Sequence, residues 1–126
     1  MSIEIKITNQ TNHCKISLVG RCTIYTVSKL KESFIEVIAA NQNILIDLEK
    51  VTDFDTAGLQ LFIAAKNMGT RENKKIKFIS HPVCIIALFD LYGLTSFFGD
   101  KIILTAEEKE QFVFSYGIKK LPSYIY

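Results

Sequence analysis

The stretch NILIDLEKVTDFDTAGLQLF, residues 43–62, contains the change of pattern that decides the fold. Its first six residues form a continuous apolar run, which is typical of a strand covered on both faces of a sheet. From Thr56 the apolar side chains recur at helical spacing, which predicts a helix over about residues 56–68 with Gly69 as its stop. A strand that leads through a short polar segment into a helix indicates an α/β fold.

The patterns that precede this stretch predict a hairpin and another helix. Ile3, Ile5 and Ile7 alternate with polar residues, and the apolar residues of 14–18 alternate in the same way. The turn-like sequence NQTN separates the two segments, so we expect them to pair as a hairpin. From about residue 28 to 40 the spacing becomes helical, with charged residues on the opposite side of the helix.

The patterns that follow it complete an alternating order of strands and helices. Residues 75–80 predict a strand, and residues 81–93 predict a helix with Pro82 in its first turn and Gly93 at its end. A short strand is predicted over residues 101–104. The whole order predicts one α/β layer sandwich, with a mixed β-sheet of about four or five strands and flanking helices.

The composition is that of one soluble globular domain. The chain has 126 residues, is 48% hydrophobic and carries a net charge of +2, which gives no push towards nucleic acid. No apolar run approaches the length of a membrane span, and the charged, alternating N-terminus does not resemble a signal peptide. The three cysteines lack a C-x-x-C spacing, so we expect reduced thiols and a cytoplasmic location.

The motifs of the common enzyme classes do not occur in the sequence. The two histidines, His13 and His81, have no second ligand at metal-binding spacing. There is no nucleophile elbow, Walker A loop or dinucleotide-binding glycine pattern. We therefore expect a protein that is not an enzyme and that uses no metal and no cofactor.

Thr56 stands at the predicted helix start between an acidic pair and two small residues. Asp53 and Asp55 are expected to cap the helix rather than to act as a general acid and base. Thr56 could also be a cap, but a cap does not explain Ala57 and Gly58, which leave the hydroxyl unshielded and let another protein approach. A phosphate on Thr56 would add about −1.5 to −2 charges and repel a docked partner. These residues therefore predict a reversible binding switch.

The same stretch resembles the signature of the STAS family, the anti-sigma factor antagonists. The matching residues are Asp47, Leu48, Val51, Asp55, Thr56, Gly58 and Leu59. The order of strands and helices fits this family from about residue 3 to residue 104. The resemblance implies a protein partner and no catalysis. It also implies that Thr56 is the phosphoacceptor of a GHKL-type serine/threonine kinase that is itself the anti-sigma factor, with Asp55 as a neighbour in recognition.

The residues after the second strand leave the subtype open. Many antagonists carry Gly-Glu-x-Asp there, whereas this chain reads GRCTIYTV, with Arg21 and Thr23 in the acidic places. Together with DTAGLQL, the stretch TIYT resembles a bacterial STAS subgroup often encoded beside chemotaxis genes, which implies a chemosensory partner. The motif is also similar to the STAS subunit of a phospholipid-transport ABC system, which binds an ATPase. A third alternative is an interaction scaffold in which Thr56 only caps its helix.

All three alternatives share one predicted partner surface, formed by residues 21–26, residues 53–60 and the exposed side of the following helix. The predicted contact residues are Thr23, Tyr25, Asp53, Asp55, Ala57, Gly58, Gln60 and Leu61, with Lys66 nearby. We expect residues 1–104 to form the STAS domain. Residues 105–126 are rich in aromatics, unlike a disordered tail, and are expected to pack on the domain or on a second copy in a homodimer.

Overall fold

A computed structural model of the chain describes residues 2–100, which form a mixed sheet with helices between its strands. The strands are β1 (Ile3–Asn9), β2 (Cys14–Cys22), β3 (Asn43–Phe54) and β4 (Lys75–Ile79), and the helices are α1 (Val27–Ala40), α2 (Thr56–Arg71), α3 (Val83–Leu91) and α4 (Thr95–Phe98). The sheet order is β1-β2-β3-β4, with β1 antiparallel to β2 and the other pairs parallel. The predicted hairpin and α/β class are confirmed. The strand predicted at 101–104 and the extension 105–126 lie outside the described residues.

The core lies between one face of the sheet and the helices. Alternate residues of the strands point to this face, so Ile16, Ile46 and Phe78 are completely buried. Phe62 of α2 stacks on Phe78, with their ring centroids 4.5 Å apart. Aromatic pairs of this kind add to the apolar area that the helices bury on the sheet.

The opposite face of the sheet is more open than the sequence predicted. Leu45 and Asp47 of β3 are only half-buried, and Asp47 Oδ2 lies 3.5 Å from Lys15 Nζ of β2. The prediction that residues 43–48 are covered on both faces is therefore wrong for the described part of the chain. The apolar run is continuous because Leu45, which points to this open face, is apolar, although its neighbours on the same face are polar.

Helix α2 begins at Thr56 as predicted, but it ends at Arg71 rather than at Gly69. Gly69 is a buried residue inside the helix, where a Cβ atom would lie 2.8 Å from Ile76 Cδ1 of β4. The glycine therefore lets the helix approach the sheet closely, and the prediction that it stops the helix is wrong.

Helix α3 is shorter than the predicted 81–93. Pro82 precedes its first residue, and the Pro82 carbonyl accepts the N–H groups of Ile85 and Ile86 at 3.1 and 3.0 Å. Gly93 follows the helix in the left-handed region, with φ of 65°, which confirms its predicted place at the end. Helix α4 was not predicted, because four residues are too few to show a helical period. None of the helices described here is long and apolar enough to cross a membrane.

Candidate functional site

The ends of β2 and β3 bring the predicted partner segments together. The two strands are parallel, and Arg21 pairs in register with Asp53. Both strands therefore end at the same edge of the sheet, where residues 23–26 turn into α1 and Asp55 leads into α2. The carboxyl ends of parallel strands are where α/β folds place binding sites. We call the surface formed by residues 21–26 and 53–60 the Thr56 surface.

Asp55 connects the two halves of the Thr56 surface. Its Oδ1 accepts the N–H of Gly58 at 3.1 Å, so Asp55 is the N-cap of α2 as the sequence predicted. Its Oδ2 accepts the N–H of Ile24 at 3.0 Å, from the turn that precedes α1. Asp55 therefore holds the 23–26 turn against the start of α2, and both of its carboxylate oxygens are bonded within the chain.

Asp53 does not cap the helix, contrary to the prediction. Its Oδ2 instead lies 2.9 Å from Nε of Arg21, and the two side chains are 54% and 48% exposed. A surface ion pair of this kind contributes about 0–1 kcal/mol to the free energy of unfolding. It therefore matters more for the arrangement of charge on this surface than for stability. The pairing was missed because the two residues are far apart in the sequence.

Thr56 is exposed as the first residue of α2, and the N-cap is Asp55, so Thr56 does not cap the helix. An unphosphorylated interaction scaffold stays an alternative without that cap. Ala57 is half-buried and Gly58 is buried. A Cβ atom on Gly58 would lie 2.4 Å from the carbonyl oxygen of Cys22. The close packing of α2 on β2 therefore requires a glycine here, whereas a partner contact at Gly58 stays a prediction.

The 23–26 turn presents two apolar side chains to solvent. The buried hydroxyl of Thr26 donates to the Arg21 carbonyl at 2.6 Å and accepts the N–H of Thr23 at 3.0 Å, which fixes the turn. Thr23 is half-buried, whereas Tyr25 is 75% exposed and Ile24 is 62% exposed. Tyr25 was predicted as a contact residue, but Ile24 was not. An isoleucine in a short irregular segment, outside any periodic apolar pattern, was the signal that could have identified it.

The remaining predicted residues all belong to α2 but lie in three different environments. Gln60 is exposed one turn after Thr56. Leu61 is half-buried and lines an apolar groove with α1 residues that include Ile35. Lys66 does not lie on the Thr56 surface. Its Nζ is 3.1 Å from both carboxylate oxygens of Asp100 and donates to a β4 carbonyl, so the prediction for Lys66 is wrong.

Two cysteines and a histidine lie in or near the core, where burial makes their reactive forms unfavourable. Burial raises the pKa of the Cys22 thiol to about 12, and burial also raises the pKa of Cys84. His81 is 7% exposed, and burial lowers its pKa. Its ring nitrogens have no hydrogen-bond partner among the described residues. In this part of the chain, no group of three or more His, Cys, Asp or Glu residues could hold a metal ion.

Comparison with known sequences places this geometry in a family. The sequence model described as "Mlab, STAS domain" matches residues 5–105 of the chain. The chain belongs to the STAS domain family. It is 34% identical over 99 residues to the anti-sigma-B factor antagonist of Listeria monocytogenes, covering 75% of this chain and 83% of the relative. It is 23% identical over 94 residues to the anti-sigma-B factor antagonist of Bacillus subtilis, covering 75% and 86%.

Solved structures with the STAS fold superpose on most of the chain. An anti-sigma factor antagonist from Mycobacterium paratuberculosis has a TM-score of 0.72 at 19% identity, covering 87% of this chain and 92% of that one. The Bacillus cell fate determinant SpoIIAA in its phosphorylated form has a TM-score of 0.62 at 17% identity, covering 86% and 97%. These matches confirm the predicted fold.

In this STAS domain, two substitutions of Asp55 should separate its two bonds. Asp55→Ala removes the N-cap and the bond to Ile24, and should lower the free energy of unfolding by about 1–2 kcal/mol. Asp55→Asn should cost less, because Asn also caps helices, but its amide nitrogen cannot accept a second N–H. Amide hydrogen exchange should therefore speed up at Ile24 in both variants and at Gly58 only in Asp55→Ala. Unchanged protection of Ile24 in Asp55→Asn would contradict this role.

Proposed function

We propose that this STAS protein is a signalling regulator without catalytic activity, similar in action to an anti-sigma factor antagonist. It binds a partner protein through the Thr56 surface, and phosphorylation of Thr56 ends the binding. The observation that carries the proposal is the exposed hydroxyl of Thr56 at the first position of α2, beside an exposed ion pair and two exposed apolar side chains.

The comparisons support this proposal at the level of the family. The relatives named above are anti-sigma-B factor antagonists, and SpoIIAA has been solved in both an unphosphorylated and a phosphorylated form. We propose that this chain likewise antagonises a regulatory partner and exists in an unphosphorylated and a phosphorylated form. The partner is a GHKL-type serine/threonine kinase that is also an anti-sigma factor, or another signalling protein such as a chemosensory component, and the exchange takes place in the cytoplasm.

Phosphorylation of Thr56 requires a nucleoside triphosphate bound by the kinase. The γ-phosphoryl group forms a bond to Thr56 Oγ, the hydroxyl proton goes to a base on the kinase, and the nucleoside diphosphate leaves. The product carries about −1.5 to −2 charges at the positive end of α2, which favours the modified state of the free protein by about 1 kcal/mol. A partner that had packed against a neutral hydroxyl then meets a dianion, so the complex dissociates.

We assign the predicted contacts different parts in this function. Tyr25 and the newly found Ile24 are the apolar anchors, because both are exposed on the Thr56 surface. Asp53, Thr23, Ala57, Gln60 and Leu61 are proposed as the polar and peripheral contacts, whereas Asp55 and Gly58 shape the surface from inside. We also propose that residues 1–104 are the domain that carries this function. The extension 105–126 then packs on that domain or joins two copies as a homodimer.

A pull-down from the native bacterium tests the proposal. The full chain is used as wild type, Thr56→Ala and Thr56→Glu, and bound proteins and phosphate on Thr56 are read by mass spectrometry. We expect the kinase to be retained by wild type and Thr56→Ala and lost with Thr56→Glu. Thr70→Glu is the matched control, because Thr70 is exposed at the other end of α2, and it should retain the kinase. A kinase that binds Thr56→Glu as well as wild type would refute the switch.

A second candidate function rests on the description of the matching family model, which names Mlab rather than an anti-sigma factor antagonist. In this alternative the chain is the STAS accessory subunit of a phospholipid-transport ABC system and binds its ATPase through the same surface. Thr56 is then an unmodified contact residue. Recovery of an ATPase in the pull-down, with no phosphate on Thr56, would favour this candidate over the kinase. A partner of another kind, bound equally by wild type and Thr56→Glu, would favour an unphosphorylated scaffold.

A further inference from the structure

Among the described residues, a single cation lines the open cleft that reaches Asp55, the residue before Thr56. The cleft separates the 23–26 turn from the end of β3, and its described lining residues are Arg21, Thr23, Tyr25, Asp53, Phe54 and Asp55. Arg21 is the only basic residue among them.

Arg21 makes one exposed contact with its present partner, Asp53. The contact joins Nε of Arg21 to one carboxylate oxygen of Asp53, and both side chains are about half-exposed to solvent. A guanidinium has five N–H donors arranged in a planar fork, so a contact through Nε leaves the terminal nitrogens for a second acceptor. Asp55 also lines the cleft, but its two oxygens are held in place by the backbone N–H groups of Ile24 and Gly58.

The strand register places Thr56 within reach of Arg21. Arg21 pairs with Asp53, and Thr56 follows Asp53 by three residues along the chain. The N–H of Asp55 donates to the Cys22 carbonyl at 3.4 Å, so the chain stays beside β2 after Asp53. Adjacent strands lie about 4.8 Å apart and three extended residues along β3 span at most about 11 Å, which separates the two Cα atoms by about 12 Å. The combined lengths of an arginine and a phosphothreonine side chain can bridge such a separation.

We propose that phosphorylation of Thr56 transfers Arg21 from Asp53 to the phosphate. The inference rests on the proposed function, because it concerns the phosphorylated state of the same site. A phosphate carries up to twice the charge of a carboxylate and offers three oxygens to the guanidinium fork, so it is the stronger acceptor. Arg21 then clamps the phosphate at the start of α2, and Asp53 is left without its counter-ion.

This exchange changes the charge of the surface at Asp53 as well as at Thr56. Before phosphorylation, the cleft presents an Arg21–Asp53 pair with no net charge. Afterwards it presents a phosphate that Arg21 neutralises only in part, together with an uncompensated Asp53 carboxylate. A partner suited to the first state therefore meets two anionic groups in the second, one of them three residues away from the modification.

The test uses the full chain with phosphothreonine installed at position 56 by genetic encoding, so that no kinase is needed. The ³¹P NMR resonance is followed as a function of pH. The second pKa of an isolated phosphate ester is about 6, and a guanidinium in contact should lower it by about one unit. Arg21→Gln should return this pKa towards 6, and Arg21→Lys should restore part of the shift. Arg71→Gln is the matched control, because Arg71 is exposed at the far end of α2.

A second readout does not depend on any variant. In the wild-type chain, the Nε–H resonance of Arg21 should shift when phosphothreonine replaces Thr56, because its acceptor changes. Equal phosphate pKa values in the wild type and Arg21→Gln, or an Arg21 Nε–H resonance that does not move, would overturn the clamp. The pull-down tests the proposed function independently. If the partner binds wild type and Thr56→Glu equally while NMR shows the contact between Arg21 and the phosphate, the proposed function is wrong and the clamp is not.

Discussion

Replacing Phe62 with Ala should lower the free energy of unfolding by about 3–5 kcal/mol, roughly a fifth or more of the stability of a typical domain. Phe62 is completely buried and packs against three other aromatic rings. Its ring centroid lies 6.2 Å from that of Phe34, 5.0 Å from Phe54 and 4.5 Å from Phe78. The substitution therefore removes the residue that joins α1, the end of β3 and β4 in one cluster, and leaves a cavity between them.

Urea-induced unfolding of the full chain, followed by circular dichroism, measures this loss. Phe97→Ala is the matched control, because Phe97 is 44% exposed and stacks edge-on against Phe98 at the edge of the cluster. The control should cost about 1 kcal/mol or less. A Phe62→Ala variant that is as stable as Phe97→Ala would show that the cluster is not the centre of the core.

The sequence predicted those parts of the fold that are encoded by local periodicity. Alternation gave the hairpin of β1 and β2, and helical spacing gave α1 and the start of α2 at Thr56. Asp55 was predicted as a cap because its chemistry suits a helix N-terminus, and the bond from Gly58 confirms that role. Each of these features depends on residues close together in the chain.

The features that the sequence missed depend on distances between elements. Whether Gly69 stops a helix or lets it approach a strand is decided by how near Ile76 lies, which no local pattern reports. The pairing of Arg21 with Asp53 follows from the register of two parallel strands joined by a helix. For the same reason, the apolar residues around Leu45 could not show whether that face of the sheet is half-open or fully covered.

Gly58→Ala should have the second-largest effect, and it should change the Thr56 surface as well as the stability. The new Cβ atom would lie 2.4 Å from the Cys22 carbonyl oxygen and 3.0 Å from two carbons of the Phe54 ring. The Cys22 carbonyl is part of the backbone of β2, which pairs with β1 and β3, so it cannot move aside cheaply and we expect a loss of about 1–3 kcal/mol. This loss should outweigh the gain of about 1 kcal/mol that Ala brings to a helix.

Gly69→Ala is the matched control, because it makes the same change in the same helix. There the first atom met is the end of the Ile76 side chain at 2.8 Å, which can rotate away, so unfolding stability should change much less. The two variants should also differ at the site. Relief of the Gly58→Ala clash requires α2 to shift away from β2, which pulls Asp55 from the N–H of Ile24. Partner binding and the NMR shifts of Ile24 should therefore change in Gly58→Ala alone. Equal effects of both substitutions would mean that the contact between α2 and β2 does not set the shape of the Thr56 surface.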